Sequence, residues 1–254
     1  MTGLLRAEVR KLRSTQVWVW LLIGSLAWTA LFVVVTFLTD GIEGNPSPRL
    51  FTPEGQRNLF ASVSAAFVFA CVLGIIGITA EYRHLTVTPS YLTTPKRWRV
   101  IAAKLLTYLA VGLAYAVACA VLVIAMAVPW LAAKDIDFSL TSNRVPLVLL
   151  AAMAVMAIYG IVGVGVGALI RNQIAAVVVT LVYLFAIEGL LSSLPWVRDH
   201  LYKYLPGGAA QGVSQVTSTN NTFLEPWQGG LLLAAYGIGF ALLASWLTIR
   251  RDVT

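Results

Sequence analysis

An all-α polytopic membrane protein with six transmembrane helices is the fold class this sequence predicts, and three observations carry it. Hydrophobic residues make up 59% of the 254 residues and charged residues only 11%, against roughly 25% charged in ordinary soluble domains. A chain so poor in charge cannot cover itself with polar surface, so lipid must be its solvent. Six apolar runs, at 17–38, 60–80, 101–128, 147–170, 174–194 and 229–249, each meet the roughly 20 residues a helix needs to cross hydrocarbon. Helices are the expected spanning form because no other open structure satisfies its backbone in lipid. Trp18, Trp20, Trp130, Trp196, Trp227 and Trp246 fall near the ends of these runs, as an aromatic belt should. The whole chain, 1–254, reads as a single transmembrane domain.

Residues 1–16 fit a short amphipathic helix at the membrane interface. Leu5, Val9 and Leu12 follow i, i+4, i+7 spacing, with Arg6, Arg10 and Arg13 on the adjoining stripe. A basic flank that orients the first span explains the same residues equally well. A signal peptide does not fit: the following run is too long, with no small-residue cleavage site. Residues 40–56 are rich in Pro and Gly and end in Thr52-Pro53-Glu54, a helix start feeding span two. Arg171 to Gln173 is so short a connection that spans four and five must be antiparallel neighbours. Segment 195–226 is the longest on its side, and two dispositions stay open for it: a short helix re-entering the membrane, or a segment flat at the interface.

Lys and Arg set the orientation. With the N-terminus in the cytosol, that side holds twelve of the eighteen: Arg6, Arg10, Lys11, Arg13, Arg83, Lys96, Arg97, Arg99, Lys104, Arg171, Arg250 and Arg251. The other side holds Arg49, Arg57, Lys134, Arg144, Arg198 and Lys203. This two-to-one bias predicts both termini inside. The net charge of +7 is thereby a topology signal, and nucleic acid is excluded as a partner.

Several chemistries lack their residues. There is no Gly-x-x-x-x-Gly-Lys-Ser/Thr loop for a nucleotide. His84 and His200 belong to opposite faces of the membrane, so no metal cluster forms around them. Cys71 and Cys119 lie within apolar runs and read as small apolar side chains. Neither a nucleophile elbow nor a pair of intramembrane acids is present for hydrolysis, so no catalytic residue, metal or cofactor is expected on this chain. Glu188 is the main ionisable residue at membrane depth, with two readings. It could touch a cationic substrate or carry a proton. The reading preferred from sequence is that it lies about 10 Å from Pro195, at 1.5 Å per residue, and snorkels to the interface. Lys104, one turn into span three, is read the same way. Gly160, Gly163, Gly165 and Gly167, with a Gly163-x-x-x-Gly167 spacing, predict close helix contact inside the subunit; Gly237 and Gly239 are a similar, weaker pair.

The stretch 77–106 is the longest polar interruption on the cytosolic side. Glu81-Tyr82-Arg83 opens it at the end of span two, and Lys96, Arg97 and Arg99 close it. Between them Thr88-Pro89 and Thr94-Pro95 are helix-start signals, a hydroxyl cap before a proline. They predict a short surface helix within segment 81–100. This region resembles the corresponding one in type-2 ABC exporter permeases, particularly the small bacterial six-span subunits. The matching features are Glu81-Tyr82-Arg83, Thr86-Val87-Thr88, Thr94-Pro95-Lys96-Arg97-Trp98-Arg99 and Ala102-Ala103-Lys104-Leu105-Leu106, about thirty residues within a similar overall layout. Leu85 stands where relatives commonly carry Gly.

The resemblance implies a chain of the bacterial cytoplasmic membrane that works as a pair with a second permease, the same or homologous. Each chain would send its coupling helix into a groove on a cytosolic ABC ATPase, present in two copies. ATP and Mg would be held there, so this chain would not be an enzyme. Glu81, Tyr82, Arg83, Thr86, Thr88, Pro89, Tyr91, Thr94, Pro95 and Arg97 are the implied coupling residues, with Glu81 pairing to Arg83 or an N-terminal Arg. The expected function is export of an amphipathic or hydrophobic substrate such as a drug, antibiotic, lipid or peptide. The alternatives are an ion-coupled secondary transporter, with Glu188 as its candidate group, and a non-transporting scaffold or immunity subunit of an ABC complex.

Overall fold

The computed structural model describes residues 2–42, 47–83, 97–136, 144–214 and 223–251, with backbone alone at 97, 98 and 247–251. Helices build all of its regular structure among these residues. Six are long and apolar enough to cross a membrane. Span one is Val17–Thr39 and span two is Pro53–Arg83. Span three is Arg97–Ala133 and span four is Val145–Ile170. Span five is Gln173–Ser193 and span six is Pro226–Arg251. A helix, Thr2–Arg13, precedes them. Of the segment 81–100 expected to carry the coupling helix, 84–96 lie outside the described residues.

Span four is the axis of the bundle. Ala152 and Met156 pack toward span three and the early part of span two, with Leu59, Phe60, Tyr115 and Cys119. Val155, Tyr159 and Val162 pack the other way, with Cys71 and Ile75 of span two and Leu233 of span six. Lipid tails are as apolar as leucine, so tight packing rather than water exclusion must hold such helices together. The Gly163-x-x-x-Gly167 spacing serves this. A Cβ on Gly163 would stand 2.0 Å from the Cys71 carbonyl oxygen, and one on Gly167 would stand 2.5 Å from Ile78 Cγ2. The motif seats span two within the subunit. At Gly239, by contrast, nothing lies within 4 Å.

Two spans are irregular. Span two passes through a 3-10 turn, Ser62–Ala66, where Ser62 Oγ donates to the Leu59 carbonyl at 2.6 Å and Ser64 Oγ to Ala61 at 2.8 Å. Hydroxyls thereby cover carbonyls that a tightened turn leaves exposed. Span five widens into a π turn at Tyr183–Ile187, and the Glu188 N–H bonds the Tyr183 carbonyl five residues back.

Connections show which ends belong together. Thr52 caps the helix into span two, its Oγ1 accepting the Gly55 N–H at 3.1 Å, just before Pro53. Arg171 closes span four in a left-handed conformation, φ 59°, and Asn172 caps span five by accepting the Ala175 N–H at 3.0 Å. At the other end of the bundle Lys134 reaches Asp40 at 3.5 Å, beside the stacked rings of Phe37 and Trp130, centroids 4.4 Å apart. Within the long segment after span five, the helix Pro206–Ser214 buries Gly208, Ala209, Gly212 and Val213. It folds back against spans four and six.

A buried ionic quartet as the candidate functional site

Where the N-terminal helix meets the bundle, four charged side chains close into one cluster. Lys104 Nζ lies 2.9 Å from Glu81 Oε1 and 2.7 Å from Glu8 Oε2. Lys11 Nζ lies 2.6 Å from the same Glu81 oxygen and 2.8 Å from Glu8 Oε1. Each lysine bridges both carboxylates, so every charge in the set has an opposite partner. Glu8, Glu81 and Lys104 are only 6%, 7% and 2% exposed. Desolvating an ion is expensive, and only good geometry with every charge partnered offsets that.

Local sequence explains how each group arrives. Glu81 ends span two and Lys104 sits two turns into span three, so the cluster brackets segment 84–96 from both sides. The N-terminal helix supplies the remaining pair at i and i+3, a spacing that puts Glu8 and Lys11 on neighbouring positions of one face. Burial alone would push the Glu8 carboxyl upward. Lys104 and then Lys11 outweigh it and hold the group below its ordinary value. Burial likewise disfavours the Lys11 ammonium, but Glu8 and Glu81 outweigh it and raise the lysine above its ordinary value. Beneath the helix lies a cavity of about 300 Å³, lined by Leu12, Val17, Ile76, Gly77 and Tyr108 among others.

A second set of contacts ties the same end together. The Arg171 guanidinium stands 5.6 Å from the centre of the Tyr82 ring, and it donates to the Ala244 carbonyl of span six at 3.5 Å. The ends of spans two, four and six are thus linked one residue past Glu81.

Of the residues expected to couple, the structure brings Glu81 and Tyr82 into these contacts and leaves Arg83 exposed. Thr86, Thr88, Pro89, Tyr91, Thr94 and Pro95 lie outside the described residues, as does the side chain of Arg97. Lys11 and Lys104 are among the cations brought to Glu81, where Arg83 or an N-terminal Arg was expected. Lys104 does not snorkel: a depth of about 10 Å into the helix is matched there by two carboxylates. The apolar stripe Leu5, Val9, Leu12 passes Glu8 by, yet Val9 is 37% exposed and Glu8 is the buried one. Tracing i, i+3, i+7 through Leu5, Glu8 and Leu12 would have found an acid on the inward face.

Glu188 forms a separate site toward the other end of the bundle. It is 5% exposed and its Oε1 accepts the Gly207 N–H at 2.6 Å. It therefore caps the helix Pro206–Ser214 from a distant part of the chain, at the helix end that favours negative charge. Pro206 has no N–H to satisfy, and a Cβ on Gly207 would stand 2.7 Å from the carboxylate. The missing Cβ at Gly207 leaves the acid room for this approach. Glu188 is thus buried against a partner from the same chain rather than extended into water. Among the described residues, no group of three or more His, Cys, Asp or Glu side chains could hold a metal ion. Compared with protein-family models and with curated proteins, the chain matches no family model and no curated protein.

Proposed function

We propose that this chain is the membrane-spanning subunit of an ATP-driven exporter of the type-2 ABC class, working as a pair in a bacterial cytoplasmic membrane with both termini in the cytosol. Its engine would be a separate ATPase in two copies, which holds ATP and Mg. The observation that supports this best is the quartet of Glu8, Lys11, Glu81 and Lys104. A segment that receives force must pass it to the spans without slack. Charges buried at both of its roots, and pinned to a third helix, make such a joint stiff: separating them would strand ions in an apolar setting. Tyr82 and Arg171 extend the joint toward spans four and six.

The test is transport in vesicles holding the chain and the ATPase encoded beside it. Substrate accumulation should need ATP. Glu81→Gln should lower transport more than it lowers co-purification of the two proteins. Transport by the purified chain alone, driven by an imposed proton gradient, would overturn the reading in favour of an ion-coupled carrier.

A further inference from the structure

Away from the quartet, a cavity of about 310 Å³ opens among spans two, four, five and six. Tyr159, Val162, Val179, Tyr183, Tyr236 and Phe240 are among the residues that line it. Its chemistry is unbalanced in two ways. Tyr159 is 1% exposed, yet its hydroxyl has no hydrogen-bond partner among the described residues. Burying a hydroxyl unmatched costs about 1–3 kcal/mol, so the group is poised to donate to something the cavity receives. The second imbalance is Glu188. Pro206 lines the cavity, and the next residue, Gly207, holds the Glu188 carboxylate at 2.6 Å. No ion pair among the described residues engages it. The helix end offers only a fraction of a positive charge, so a buried carboxylate here lacks a full counter-charge.

An anion would be repelled from such a site, and a neutral molecule would leave the carboxylate uncompensated. A lipophilic cation satisfies both the acid and the faces of the aromatic rings, which attract positive charge. The π turn at Tyr183–Ile187, which lends Tyr183 and Leu184 to the cavity wall and runs into Glu188, is a feature common at functional sites. We propose that this cavity binds a lipophilic cation that also carries a hydrogen-bond acceptor, with Glu188 as its counter-charge and the Tyr159 hydroxyl as its donor. Binding of this kind belongs to the chain itself and does not depend on an ATPase.

Equilibrium binding to the purified full-length chain in detergent micelles tests it, with protein-free micelles as the blank. The probes are tetraphenylphosphonium, tetraphenylborate of nearly the same shape and opposite charge, and rhodamine 6G, a cation with an ester carbonyl. The phosphonium should bind about tenfold or more tightly than the borate. Glu188→Gln keeps an oxygen for the Gly207 N–H and should abolish that preference. Tyr159→Phe, which deletes only an unpartnered hydroxyl, should weaken rhodamine 6G severalfold and leave the phosphonium unchanged. Equal binding of the two ions, or a preference that survives Glu188→Gln, overturns the counter-charge. Rhodamine 6G binding unaffected by Tyr159→Phe overturns the donor.

Discussion

Two buried acids at different levels of this bundle are handled in different ways. Glu81 is neutralised by whole charges, Lys11 at 2.6 Å and Lys104 at 2.9 Å, within a set that includes Glu8. Glu188 is met by a peptide N–H and the end of a nine-residue helix. In the first arrangement every charge meets a full opposite charge, and three segments are tied together. The second is left partly open, beside a cavity with an unpartnered hydroxyl. A closed site suits the transmission of force, and an open one suits the capture of something charged.

Mutations that break each site should separate them. Lys104→Met leaves two carboxylates to share Lys11 and should cost about 3–5 kcal/mol, as breaking a buried ion pair does. Thermal unfolding of the purified chain would show it. Replacing the set together, with Glu8→Gln, Glu81→Gln, Lys11→Met and Lys104→Met, should recover most of that loss, because no charge is then stranded. A quadruple variant as unstable as Lys104→Met would mean that the quartet contributes more than charge balance.

At the open site the effects are smaller. Glu188→Ala removes the acceptor from the Gly207 N–H and should cost about 1–3 kcal/mol, measured in the same unfolding experiment. Neighbouring glycines give a sharper contrast. Gly207→Ala would put a methyl 2.7 Å from the Glu188 carboxylate, so the acid must shift and weaken its bond to the Gly207 N–H, at a cost of about 1 kcal/mol. Gly189→Ala meets nothing within 4 Å and should be neutral or gain up to about 1 kcal/mol from helix propensity. If both substitutions behaved alike, the close approach at Gly207 would be wrong.

The smallest expected effect is with pH. Glu8 holds its proton more weakly when docked than when free, because burial is outweighed by Lys104 and Lys11. Its contribution is therefore present above the free carboxyl pKa and lost as pH falls through the lowered docked value. Lys11 is raised, since Glu8 and Glu81 outweigh its burial. Its contribution is present below the free lysine pKa and lost as pH rises through the raised docked value. Docking of the N-terminal helix should thus be flat between about pH 6 and about pH 9 and weaken outside that window. A spin label at Thr2 would follow it by its mobility, and a transition near neutrality would contradict the paired charges.

Glu8 and Val9 show how far the sequence could be read. Both sit on an amphipathic helix, and hydrophobicity alone favours the valine for the inward face. The structure turns the glutamate inward because Lys104, ninety-six residues away, waits there. A periodicity argument sees one helix at a time and cannot register a partner on another. Glu188 shows the same limit. Its distance from Pro195 spoke only of depth, and its partner, the N-terminus of the helix Pro206–Ser214, is brought to it by the fold.

Length and hydropathy were sufficient for six apolar helices, because crossing hydrocarbon demands a run of about 20 residues that no soluble segment needs, and the glycine spacing in span four was sufficient for a close contact. Which helix took that contact, and which charges were buried rather than floated to the surface, followed from three-dimensional packing. A buried ion is stable only with its counterpart beside it, and that counterpart is brought near by the fold rather than by the order of residues along the chain.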